Sequence, residues 1–148
     1  MVGDAQVPLA VAGGELRPPT EFDVGVLGPK PVATWRGTAL AALAALRTPG
    51  ALERRATLPE GEIVVADLLG QRVTENLVRG YDIAVGVGRP DPLAGMVGDD
   101  LADWCLDFWA GHADAVVAGG VLPAAPIEPP TGSDAWTRLL AFTGRARR

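Results

Sequence analysis

The sequence predicts an all-α fold: a helical bundle with one short β-hairpin between two of its helices, closed by a C-terminal strap and a short helix. Three observations predict it. Residues 32–47, 65–87 and 99–118 each place apolar side chains at helical intervals. Between the first two runs lie two short strand-capable pieces around Pro59-Glu60-Gly61. After the third, a proline-rich stretch leads into an amphipathic run that begins at Ser133-Asp134. With 148 residues, 48% of them hydrophobic, the chain has the size of one domain and enough apolar surface for a core, so a single domain over 1–148 is expected.

Taken in order, residues 4–16 (DAQVPLAVAGGEL) read as a short helix. Pro8 would lie in its first turn, where a missing N–H does no harm, and Gly13-Gly14 would weaken its end. Residues 17–31 carry four prolines and two glycines and read as an irregular connection. The helix over 32–47 sets Trp35, Leu40, Leu43 and Leu46 along one side and stops at Thr48-Pro49-Gly50. In the helix over 65–87, Leu69, Val73, Leu77, Gly80 and Ala84 share the face that a bundle buries. Gly80 lowers helix stability there by about 1 kcal/mol relative to alanine, which a close neighbouring helix or ligand would offset.

The helix over 99–118 takes Asp99 or Asp100 as N-cap and first-turn acid. Its row Leu101, Trp104, Cys105, Phe108, Trp109 and His112 reads as core. Ser133 or Asp134 caps the last helix, whose Trp136, Leu139, Leu140 and Phe142 anchor the strap.

Charge narrows the function classes. The net charge is −5, with 12 arginines, one lysine and no basic stripe, which removes nucleic acid as a partner. The closing GRARR reads as a solvated tail. No window offers the roughly 20 apolar residues of a membrane span, and the N-terminus has no basic start of a secretory signal, so the expected location is the cytoplasm. Cys105, the one cysteine, reads as a buried thiol.

Candidate chemistry is sparse. Gly86-Val87-Gly88-Arg89-Pro90 has two glycines of a dinucleotide loop but follows a helix and runs into a proline, so it reads as a helix C-terminus. His112 is the sole histidine, which excludes any mononuclear metal site built on two or three imidazoles of this chain. Ser133, the sole serine, sits in no nucleophile turn. What remains is a charged line on the 65–87 helix: Arg72, Glu75, Arg79 and Asp82 are separated by three, four and three residues and stack beside the apolar stripe. With alternating sign they suit an ion-pair ladder. The same i, i+4 spacing can present two ligands to a metal, but a guanidinium stays protonated and has no lone pair to give.

The run LPEGEIVVADLLGQRVTENLVRGYDIAVGVGRP, with FDVGVLGPKPVATWRGTALAALAALRTPGALERRATLPEGE before it and TGSDAWTRLLAFTGR after it, resembles actinobacterial proteins related to mycothiol-dependent maleylpyruvate isomerase. These belong to the DinB-like superfamily, and the resemblance covers most of the chain from about Ala5 onward. It implies a helical bundle that holds a divalent metal, usually zinc, through one histidine of an earlier helix and a Glu-x-x-x-His pair of a later one. It also implies a low-molecular-weight thiol as cosubstrate in isomerisation or transfer. Glu75 matches the family's glutamate, and Gly80, Tyr81 and Asp82 match its G-W-D. Arg79 stands where the histidine belongs, and the earlier histidine has no counterpart, as though the chain were truncated at the N-terminus.

The expectation is therefore an incomplete DinB-like four-helix bundle with a degenerate metal site and no cofactor, serving as a scaffold or binding a small ligand. Arg72, Glu75, Arg79, Tyr81 and Asp82 would line its pocket and take a small anionic ligand or a thiol. The alternative is an active zinc- and thiol-dependent isomerase or transferase that completes its site with another chain. An uncovered apolar face would also favour a homo-oligomer, in the simplest case a homodimer.

Overall fold

The structure, a computed structural model, describes residues 2–16, 28–59, 61–89, 91, 93, 95–112 and 126–147. They are mostly helical, with one two-stranded antiparallel hairpin, in accord with an all-α chain carrying a short hairpin. The chain divides into two compact units, Met1–Arg72 and Val73–Arg148. No helix among the described residues is long and apolar enough to cross a membrane.

The N-terminal unit begins with α1 (Val2–Val11). It starts two residues earlier than expected and stops at a glycine terminus. Gly13 adopts φ 74°, its N–H donates to the Ala10 carbonyl (2.9 Å), and the N–H of Gly14 donates to Leu9 (2.9 Å). Pro8 thus sits beyond the first turn, contrary to expectation. Arg54 Nη1 donates to the Val11 carbonyl (2.9 Å), satisfying one of the acceptors that the helix end leaves open.

Pro31 opens α2 (Pro31–Leu46) at N1, where its fixed φ suits the helix. The residue that α2 buries is Ala42, whereas Trp35, Leu40 and Leu43 of the expected apolar line are exposed. The connection over 17–27 lies outside the described residues.

The expected hairpin is present as β1 (Arg55–Leu58) and β2 (Gly61–Val64), with Arg55 opposite Val64 and Leu58 opposite Gly61. Beyond α1 the chain continues along it: Leu16 N donates to Thr57 O (2.7 Å), and Thr57 N donates to Gly14 O (3.3 Å). Val7, Ala10, Leu16, Ala56, Val65 and Leu68 form the centre of this unit's core.

α3 (Val65–Gly86) follows β2 directly, and the boundary between the units falls within it. Its end is the helix terminus read from the sequence. Gly88 takes φ 70°, Gly88 N donates to Val85 O (3.0 Å), and Arg89 N donates to Ala84 O (2.9 Å). In the C-terminal unit the buried line of α3 is Thr74, Val78, Tyr81 and Ala84; Ala84 belongs to the expected stripe, while Val73, Leu77 and Gly80 of that stripe are half-buried. The helix is rotated by about one residue, some 100°, relative to the pattern its aliphatic residues suggest.

α4 (Asp99–Gly111) has Gly98 as N-cap, not Asp99 or Asp100. Both acids occupy the first turn, where they complement the helix dipole, and Asp99 Oδ1 accepts the N–H of Ala135 (3.2 Å). The expected core row is split: Cys105 and Trp109 are buried, whereas Leu101 and Trp104 face solvent. Residues 113–118 of the expected helix lie outside the described residues.

The last helix, α5 (Ala135–Phe142), is capped by Asp134, whose Oδ1 accepts the Thr137 N–H (2.8 Å). Trp136, Leu139 and Leu140 anchor it in a core shared with Tyr81, Ala102 and Cys105. Gly144 ends it at φ 80° and turns the chain back, with Arg145 N donating to Leu140 O (2.8 Å).

Candidate functional site

The charged line read from the sequence does lie on one helix, but its members have different environments. Arg72 is half-buried and closes the N-terminal unit; Glu75, Arg79, Tyr81 and Asp82 belong to the C-terminal unit. Within the ladder Glu75 and Arg79 approach as an i, i+4 pair, with Arg79 Nε 3.6 Å from Glu75 Oε2. The Arg79 side chain is 71% exposed, so this is a loose surface contact in high dielectric.

Asp82 is held elsewhere. Both its oxygens accept from Arg145, Oδ1 from Nε at 2.9 Å and Oδ2 from Nη2 at 2.7 Å. Tyr81 is 3% exposed, and its ring meets Trp136 edge-on at 6.2 Å. Its hydroxyl donates to the Ala146 carbonyl at 2.8 Å. Tyr81 and Asp82 therefore receive the C-terminal tail, while Glu75 and Arg79 pair with each other.

This donor set does not fit zinc. Glu75 offers one carboxylate, and the group beside it on the helix is a cation with no lone pair. The other conventional ligands are engaged: Cys105 is a buried thiol that hydrogen-bonds Thr74 and whose pKa burial pushes up, and His112 Nδ1 lies 2.7 Å from the Phe108 carbonyl. Among the described residues no group of three or more His, Cys, Asp or Glu side chains is placed to hold a metal ion.

Among the described residues Gly80 meets no tight approach. A Cβ built there would meet Leu93 Cδ1 at 3.6 Å, an ordinary van der Waals contact.

The sequence reading missed the tail network. GRARR, read as solvated, is ion-paired at two of its arginines. Arg147 Nη1 donates to Asp134 Oδ2 (2.7 Å), and Arg147 Nε lies 3.2 Å from Asp91 Oδ2. The Asp91 side chain, 5% exposed, also accepts from Trp136 Nε1 (2.7 Å) and Leu93 N (3.0 Å). Hydrogen bonds from the Thr137 side chain and backbone, followed by the Arg147 guanidinium, lower the Asp134 pKa to about 2. Asp134 in turn raises the pKa of Arg147. The available signal was Gly144, a left-handed helix terminus that turns the next residues back onto their own unit.

Comparison with protein-family models, with curated proteins and with solved structures finds no match.

Proposed function

We propose that the chain is a DinB-like protein, related to mycothiol-dependent maleylpyruvate isomerase, whose metal site has decayed and which serves in the cytoplasm as a non-catalytic helical scaffold or small-ligand binder. The observation that carries this reading is the guanidinium of Arg79 beside Glu75, at the position where the resemblance implies an imidazole. A permanently protonated group there repels a cation instead of binding it, and one remaining carboxylate holds zinc weakly and exchangeably. If the site has a ligand, a small carboxylate suits it best, because the loose 3.6 Å pair leaves the Arg79 fork accessible to an anion.

Metal analysis of the chain purified without chelator tests the reading. The expected result is no stoichiometric metal after dialysis, a thermal midpoint unmoved by a chelator, and no isomerase turnover with mycothiol. Stoichiometric zinc that survives dialysis and disappears in Glu75→Ala would overturn it.

A further inference from the structure

α2 carries a single charge, Arg36, in its 16 residues, yet its outer face is open: Val32 is 62% exposed and Leu40 67%. A helix that is apolar nearly all round is ordinarily covered on all sides. The open face forms a groove of about 630 Å³, lined among others by Lys30, Val32, Ala33, Arg36, Gly37 and Leu40. Its floor is low because a Cβ built on Gly37 would meet nothing within 4 Å. Among the described residues that line it, the charged ones, Lys30 and Arg36, are both positive.

α4 presents the complement. Trp104 is 43% exposed and is steadied by stacking on Phe108, with ring centroids 6.2 Å apart at 21°. Asp100 and Asp107, four residues before and three after it, are exposed on the same side of the helix and belong to no ion pair among the described residues. Asp103 differs in being paired with Arg138.

We infer that the chain associates with a second copy of itself, Trp104 of one copy seating in the α2 groove of the other while Asp100 and Asp107 meet Lys30 and Arg36. An aromatic anchor entering a pocket with a small-residue floor, ringed by opposite charges, is the usual form of an interface hot spot. Each copy carries both halves, the groove in its N-terminal unit and the anchor in its C-terminal unit, so a second copy supplies what the first lacks a partner for. The inference goes beyond the scaffold reading and does not depend on metal.

Sedimentation equilibrium on the full chain tests it. The wild type is expected to associate reversibly. Gly37→Leu, which fills the groove at a position with open space and raises helix propensity, should abolish association with the helical circular dichroism unchanged. Lys30→Glu with Arg36→Glu, or Asp100→Arg with Asp107→Arg, should weaken association at least about tenfold, and the four together should restore it to within a few-fold of wild type. A wild type that stays monomeric at every accessible concentration overturns the inference, as does an assembly indifferent to Gly37→Leu and to both charge reversals.

Discussion

Asp82 near the end of α3 and Arg145 just past the end of α5 are 63 residues apart in sequence and form a two-bond carboxylate–guanidinium pair at 2.9 and 2.7 Å. Arg145 also donates to the Thr143 carbonyl, so its fork is oriented before it meets Asp82. The pair ties the tail to α3 beside the Tyr81–Ala146 hydrogen bond. With the Asp82 side chain 42% exposed, solvent screening limits its strength. Asp82→Asn or Arg145→Lys should each cost about 1 kcal/mol in urea unfolding, the loss should shrink at high salt, and a double-mutant cycle should return most of it as coupling.

The Glu75–Arg79 contact should contribute far less. Arg79→Ala is expected to change stability by less than about 0.5 kcal/mol, because the pair is long and the arginine exposed. A loss of several kcal/mol in the same denaturation experiment would mean that Arg79 is structural, and would remove it as a ligand candidate.

Gly80 should accept a side chain. It is helical, and the space beside it holds Leu93 Cδ1 at ordinary contact distance, so Gly80→Ala should raise stability by about 0.5–1 kcal/mol. A destabilised variant would show that the glycine is needed for a closer approach than this fold contains.

Trp109 is 2% exposed, and its indole N–H donates to Thr74 Oγ1 at 3.0 Å inside the C-terminal unit. Thr74→Val keeps the volume and removes the acceptor, leaving a buried donor without a partner. The expected cost is about 1–3 kcal/mol by chemical denaturation, with a change in the near-ultraviolet signal of the tryptophan.

Asp134 makes part of the stability pH-dependent. Its folded pKa, about 2, lies below its ordinary value of 3.8. The contribution is therefore complete above pH 4 and is lost as pH falls through about 2, since protonation weakens acceptance from Thr137 and the pair with Arg147. Asp134→Asn retains a capping side chain without titrating there, so its stability profile should be flatter than wild type between those limits. An unchanged slope would place the acid sensitivity elsewhere.

Local chemistry was legible in the sequence. The hairpin around Pro59-Glu60-Gly61, the end of α3 at Gly88 and the start of α5 at Asp134 each follow from a residue whose backbone freedom or capping oxygen acts within a few positions. The Glu75–Arg79 contact was legible for the same reason, as an i, i+4 relation within one helix.

The sequence by itself determined where helices and turns form, because those preferences come from neighbours along the chain. Only the tertiary structure decided which side of α3 is buried: apolar residues occupy a broad arc of that helix, so Thr74, Val78 and Tyr81 could turn inward as readily as Val73, Leu77 and Gly80 until Trp109 and Trp136 packed against them. It also decided that Asp82 pairs with Arg145 instead of Arg79. Opposite charges attract whatever their separation in sequence, and which cation comes within 3 Å is set by the fold that turns the tail back at Gly144.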